Sequence, residues 1–348
     1  MSSSPRRADV RVKASGRTEA IVGSSGLATR VNPPTGVQIV AAERVRKWGK
    51  YAKEDRHLLL MTLPAVVKIL IFSYLPLIGI VIAFKDYVPR LGILGSPWNG
   101  LENFEFFFKS SDAWRILRNT IGLNALIIAA ELVVAVSMAL LLYEISNRKA
   151  LKAYQSIMFF PYFFSWVLTG LMLTTLLNPN NGIVSRLIED MTGREAAFYS
   201  EPWYWIVILP LVSIWKGTGF SSLIYYSALM GIDKDLFEAA EIDGATKLQA
   251  MRFISLPFLM PIMVMLTILA VGHILRADFG LFYFVPRNVS ALYPVTDVLD
   301  TYVFRALTVN GNFTMSAAVS VFQSFVGLVL ILGTNRLAKM YDKEYGLF

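Results

Sequence analysis

Six stretches of the chain carry apolar side chains almost without interruption: 58–84, 119–142, 154–177, 203–230, 257–276 and 316–337. As a helix, each is long enough to cross a hydrocarbon layer of roughly 30 Å, which takes about 20 residues. Backbone that faces lipid must satisfy its own hydrogen bonds, so the pattern predicts an all-helical integral membrane protein with six spans. Residues 1–40 show no apolar period and are rich in Ser, Gly, Pro and Arg, which reads as a disordered tail. Residues 41–57 set Val45, Trp48, Tyr51 and Ala52 among Arg44, Arg46, Lys47, Lys50, Lys53 and Arg56. That is a basic amphipathic helix suited to lipid headgroups. A nucleic-acid arm is the competing reading, and the span that follows directly argues against it.

Lys and Arg in the short connections decide orientation. Arg148, Lys149 and Lys152 follow the second span, Lys234, Lys247 and Arg252 follow the fourth, and Arg336, Lys339 and Lys343 close the chain. With six spans these share one side with the tail, which places both termini in the cytoplasm. On the other side, 85–118 holds Trp98, Leu101, Phe104 and Phe106 to Phe108, a short interfacial helix, and 178–202 opens on the turn-rich Asn178-Pro179-Asn180-Asn181-Gly182. The last outer connection, 277–315, spaces Val295, Val298, Leu299, Tyr302, Val303 and Leu307 as a helix with Asp297, Asp300 and Arg305 on its polar face.

One polar stretch, 232–256, lies between the fourth and fifth spans. Asp233 is placed to cap a helix through Leu236, Ala239 and Ala240, and Asp243-Gly244 to end it. Thr246 is placed to start a second short helix through Leu248, Met251 and Phe253 before Pro257 begins the next span. Glu238 and Glu241 stand three apart beside a flat alanine surface, which suits insertion into a groove with basic walls. The whole run of Glu238, Ala239, Ala240, Asp243, Gly244 and Ala245, then Ile254, Leu256, Pro257 and Pro261, resembles the EAA loop of permease subunits of bacterial ATP-binding-cassette importers. The resemblance implies the six-span permease fold, with this loop as a cytoplasmic coupling helix in which Glu238 and Gly244 contact an ATP-hydrolysing subunit. It further implies a second related permease, two ATP-binding subunits that hold ATP and Mg, an extracytoplasmic solute-binding protein and residence in the bacterial inner membrane. Asp297 to Val303, Phe322-Gln323-Ser324, Asn335-Arg336 and the stretch from Trp215 to Tyr226 are similar to a subgroup of carbohydrate-importer permeases. That subgroup includes importers of acidic oligosaccharides such as alginate.

Composition agrees with the span pattern: 55% of residues are hydrophobic and the mean hydropathy is +0.51. The chain has no cysteine and two histidines, His57 and His273, far apart in sequence, which removes thiol chemistry and argues against a metal centre. No GxxxxGK[ST] loop is present, so energy must come from a partner. Nor does any Ser, His and carboxylate set point to an enzyme. The net charge of +8 is partly gathered in the tail.

Inside the spans stand Lys68, Glu131 and Lys216, with His273 and Arg276 near an outer end. A charge at membrane depth costs on the order of 3 kcal/mol, so these groups face a cavity, the bundle interior or one another. A structural pair between Glu131 and one lysine is one reading; a positively charged path for an anionic substrate is the other. Trp215 and Tyr225, with Phe159, Phe160, Tyr162, Phe163, Phe164 and Trp166, supply rings that stack on sugar faces or pack as anchors. Pro64, Pro76, Pro161, Pro210 and Pro261 are candidate kinks. The rival classes are an importer of a neutral sugar, amino acid or phosphate, an ion-coupled secondary transporter, and a membrane scaffold or receptor.

Overall fold

A computed structural model describes residues 56–342 together with Gly346 and Leu347. The expected tail 1–40 and all but the end of the helix 41–57 lie outside the described residues. The chain divides into two units, 1–72 and 73–348. In the first, helix α1 (Arg56–Ile69) is mostly apolar and is exposed from Leu60 to Ile69.

Among the described residues there is no strand, only an isolated bridge between Lys85 and Trp98. Five helices are long and apolar enough to span a membrane: Leu60–Phe84, α3 (Ala113–Tyr143), Pro202–Leu229, α9 (Lys247–Gly272) and α12 (Phe313–Tyr341). The other labelled helices are α2 (Glu102–Lys109), α4 (Arg148–Phe159), α5 (Trp166–Leu176), α6 (Ile183–Thr192), α7 (Trp205–Leu229), α8 (Lys234–Ile242), α10 (Phe279–Phe284) and α11 (Leu299–Thr308).

The third crossing, expected as one stretch over 154–177, is a bent pair. Arg148–Phe163 and Trp166–Leu176 meet at 96°, and a sixth span exists only if the two are counted as one. Pro161 supplies no N–H to continue the helix. Phe164 and Ser165 are extended, and the Ser165 hydroxyl accepts from the Leu168 N–H at 3.2 Å to start α5 afresh. The other candidate prolines behave differently: Pro64, Pro210 and Pro261 sit inside helices that continue past them, and Pro76 opens a 3-10 stretch.

The fifth span also departs from its expected bounds. The helix begun at Thr246 does not stop before Pro257 but widens into π turns over Met251–Ser255 and runs on to Gly272. The wide turn directly before Pro257 takes up the ring that would otherwise collide with the preceding turn. The helix ends at Gly272, so Arg276 lies past it rather than within it.

In the last outer connection the expected single helix is interrupted at Asp297, between Tyr293–Thr296 and α11. Asp297 is not on a polar face: it is 2% exposed. The Arg305 guanidinium reaches it at 2.6 Å and that of Arg115 at 3.4 Å. A carboxylate buried this deeply is tolerable only when it is paired in this way.

Small residues let the spans approach. Gly219 of α7 packs on the backbone of Met158 and Phe159, and Gly327 of α12 on the carbonyl of Gly272. Close backbone approach of this kind is how helices pack where lipid offers no hydrophobic drive. The core lies in separate clusters, one around Trp205, Leu209 and Phe282, another around Ala135, Leu229 and Leu259 with Ile232 and Phe237 of the polar hairpin.

Candidate functional site

Two places carry chemistry. The first is the polar stretch between α7 and α9. Asp233 accepts from the Asp235 N–H at 3.1 Å and starts α8. The helix closes through Asp243 onto Gly244, whose φ of +81° is the left-handed geometry that glycine adopts without penalty. The Ala245 N–H returns to the Ala240 carbonyl at 2.9 Å. A reciprocal capping box between Thr246 and Gln249 then starts α9.

One side of this hairpin is anchored. Ile232 is buried, Phe237 packs against Tyr143 with ring centroids 5.7 Å apart, and Ile254 and Leu256 join the same cluster. Lys247 reaches Glu144 at the end of α3 at 3.1 Å. The other side is open: Leu236, Ile242, Leu248 and Phe253 are 53%, 86%, 75% and 68% exposed. Glu238, Ala239, Asp243, Gly244 and Pro257 are exposed too, while Ala240, Ala245 and Leu256 are half-buried. A concavity of about 550 Å3 lies at its base, with Glu144, Lys234, Glu238, Glu241 and Lys247 in its wall. Large apolar side chains presented on an otherwise polar element mark a protein-binding surface.

The second place is at membrane depth, where the backbone is irregular twice. At the break between α4 and α5, Lys216 of α7 donates to the carbonyls of Tyr162 at 2.7 Å and Phe164 at 2.6 Å. Its ammonium lies 5.2 Å from the centroid of the Trp166 ring and 5.4 Å from that of Tyr162. Past the end of α9, Asn124 donates to the Ile274 carbonyl and Gln323 to the Leu275 carbonyl, both at 2.7 Å. Irregular backbone survives in a membrane only where such groups satisfy it. The two irregular stretches are joined, since the Trp166 indole N–H donates to Asp278 at 2.9 Å. Asp278 in turn caps α10 through the N–H groups of Gly280 and Leu281.

The six residues expected along a substrate path do not converge. Glu131 and Tyr225 line one concavity of about 210 Å3, where Ser221 donates to Glu131 at 2.7 Å. Trp215 and Lys216 belong to the helix break, with the Trp215 and Phe164 rings 6.0 Å apart. Arg276 donates to Ser324 of α12 at 2.9 Å. Lys68 is exposed in the last turn of α1, within the first unit. The ion pair between Glu131 and a lysine is not formed among the described residues; Glu131 meets Ser221 and Lys216 meets backbone carbonyls instead. Asp278 escaped the sequence reading, although Asp followed at i+2 by Gly before an aromatic run is a cap signal.

Residues 131–345 match the model of the binding-protein-dependent transport system inner membrane component. The chain belongs to that permease family. Among relatives of the permease, Protein LplB of Bacillus subtilis is 34% identical over 310 residues, 89% of this chain and 96% of that one. The polygalacturonan/rhamnogalacturonan transport system permease protein YteP of Bacillus subtilis is 38% identical over 84% of this chain and 90% of its own. A solved bacterial ABC transporter involved in the import of the acidic polysaccharide alginate matches the permease with a TM-score of 0.78 and 30% identity, over 85% of this chain and 99% of that one. A second structure of an alginate ABC transporter, in complex with its alginate pentasaccharide-bound periplasmic protein, matches with a TM-score of 0.77 and 30% identity, over 84% of this chain and 98% of that one. The fold is therefore that of an ABC importer permease, and the relatives are transport permeases.

Proposed function

We propose that this permease forms half of the pore of an ATP-driven importer that passes acidic oligosaccharide from a solute-binding protein into the cytoplasm. The observation that carries the reading is the hairpin at 232–256, water-facing on Leu236, Ile242, Leu248 and Phe253 and fastened to the spans on its other side. Such an element docks on a separate ATP-binding subunit and passes its motion to α7 and α9 as a rigid lever. Two ATP-binding subunits hold the ATP and Mg, a second related permease completes the pore, and both termini lie in the cytoplasm.

An acidic sugar is supported by the chemistry at the helix break. Lys216 uses two of its three N–H groups on carbonyls and stands among aromatic rings. A cation beside apolar ring faces suits a uronate, whose carboxylate meets the charge while its ring stacks. Lys216→Gln keeps donors for the carbonyls and removes the charge, so uptake of oligouronates should fall while that of neutral oligosaccharides persists. Equal uptake of oligouronates by the variant and the wild type would remove Lys216 from the reading, and no uptake of oligouronates by the wild type would favour the neutral-sugar importer.

The coupling role is tested by Glu238→Lys in the reconstituted complex. ATP hydrolysis should no longer respond to the loaded solute-binding protein, and uptake should fall to background. Normal coupled transport by this variant would overturn the assignment, and uptake without ATP would point to an ion-coupled carrier.

A further inference from the structure

Past the membrane-depth site, α10 ends in a turn that helix termination alone does not require. Arg287 and Asn288 both have positive φ, 58° and 49°. One left-handed residue ends a helix, and asparagine tolerates that geometry. Two successive non-glycine residues there are strained and persist only when the surroundings hold them. The surroundings do so. The Asn288 side-chain oxygen accepts from the Tyr293 hydroxyl at 3.0 Å and from Arg305 at 3.4 Å. The Arg305 guanidinium lies 4.2 Å from the centroid of the Tyr293 ring and is itself fixed by the buried Asp297. A buried ionic chain is thus spent on the shape of one exposed turn.

That turn presents Arg287. Its side chain is exposed and makes no ion pair among the described residues. Beside it lies a concavity of about 310 Å3 between α5 and α10, walled by Tyr283 and Phe284 and floored at Gly170. Gly170 sits so close to the Phe284 carbonyl that any side chain there would collide with it. The Tyr283 ring is held in place, stacked on Phe279 at 4.8 Å and edge-on to Phe304 at 5.1 Å. The volume is at the small end of ligand pockets, with room for one sugar ring rather than a chain.

We infer that this concavity is a second, outer subsite for a single hexuronate unit, with the Arg287 guanidinium taking the carboxylate and the Tyr283 ring the sugar face. The inference rests on the oligosaccharide-importer reading and extends it. Guanidinium and carboxylate match as a fork of two parallel hydrogen bonds, which lysine cannot reproduce. The turn is the positioning device: Tyr293 and Arg305, outside the concavity, hold Asn288 in its wall and so set where the guanidinium stands.

The test is direct titration of trigalacturonate, and of an uncharged galactotriose, onto the assembled complex in nanodiscs without the solute-binding protein, so that carrier docking does not contribute. Arg287→Gln should weaken trigalacturonate binding about tenfold, the loss of one charge-assisted contact, and leave galactotriose unchanged. Arg287→Lys should recover part of the loss. Equal weakening of both sugars, or none, overturns the subsite. A wild-type complex that binds no trigalacturonate overturns it as well, while coupled uptake of a neutral sugar by that same complex would leave the importer reading standing. Repeating the titration in nanodiscs with and without phosphatidylglycerol separates the remaining source of anions. If Arg287→Gln changes only the retention of that lipid, the site belongs to headgroups and the sugar assignment falls.

Discussion

Asp300 shows how much one side chain of the outer connection is asked to do. Its carboxylate accepts from the Ala277 N–H at 2.7 Å and from the Gln323 amide at 3.4 Å, tying α11 to the unwound end of α9 and to α12. Burial pushes its pKa above the ordinary carboxylate range, against the hydrogen bonds and the nearby Arg276 that pull it down. A carboxyl with a folded-state pKa above its unfolded value holds its proton longer in the native state. Its contribution to stability is therefore greatest below the unfolded pKa and declines as pH rises through the folded one. The thermal unfolding midpoint of the wild type minus that of Asp300→Asn should fall as pH is raised across that window. At this scale the sequence was a fair guide to local caps and a poor one to partners. Asp233 and Gly244 follow from spacing alone, because capping involves neighbours in the chain. That Asp297 meets Arg115, 182 residues away, could not, because the contact exists only after the spans have packed.

At the scale of elements, the bend between α4 and α5 is held by α7, through the hydrogen bonds of Lys216 and through close backbone contact at Gly219. Gly219 allows that contact, since a Cβ there would lie 2.8 Å from the Phe159 Cα. Gly219→Val should destabilise the fold by about 1–3 kcal/mol or more through overpacking, seen as a lower thermal unfolding midpoint of the purified complex. Gly122→Ala, at a helical position with open space around it, should leave the midpoint no lower. The six apolar stretches were legible from hydropathy because the bilayer imposes one length on every crossing. Their ends and breaks were less so. Pro161 and Pro210 stand in comparable apolar runs, yet only the first accompanies a break, because Ser165 restarts the helix and Lys216 donates to the carbonyls left over. Proline marks where a helix can break; the neighbouring span decides whether it does.

For the whole molecule, the hairpin at 232–256 was the most readable part, since its signals are consecutive in the chain and its surroundings are water. The membrane-depth site was the least readable, because it joins residues near 124, 162, 216, 275 and 323 through contacts that no local pattern announces. The hairpin reaches this interior along two continuous helices, α7 and α9, and the first of them carries Lys216. A push on Glu238 and its neighbours thus has a covalent route to the charged residue at the bend.

The bend has one more consequence. Its two arms, Arg148–Phe163 and Trp166–Leu176, are about 24 and 16 Å of helix, so neither alone reaches across the hydrocarbon layer. Set at nearly a right angle, the pair reaches less far end to end than a straight helix of the same residues would, and a short crossing is met by thinning of the lipid beside it. Turnover should therefore depend on acyl-chain length, with thick, ordered bilayers opposing the angled state and thin ones favouring it.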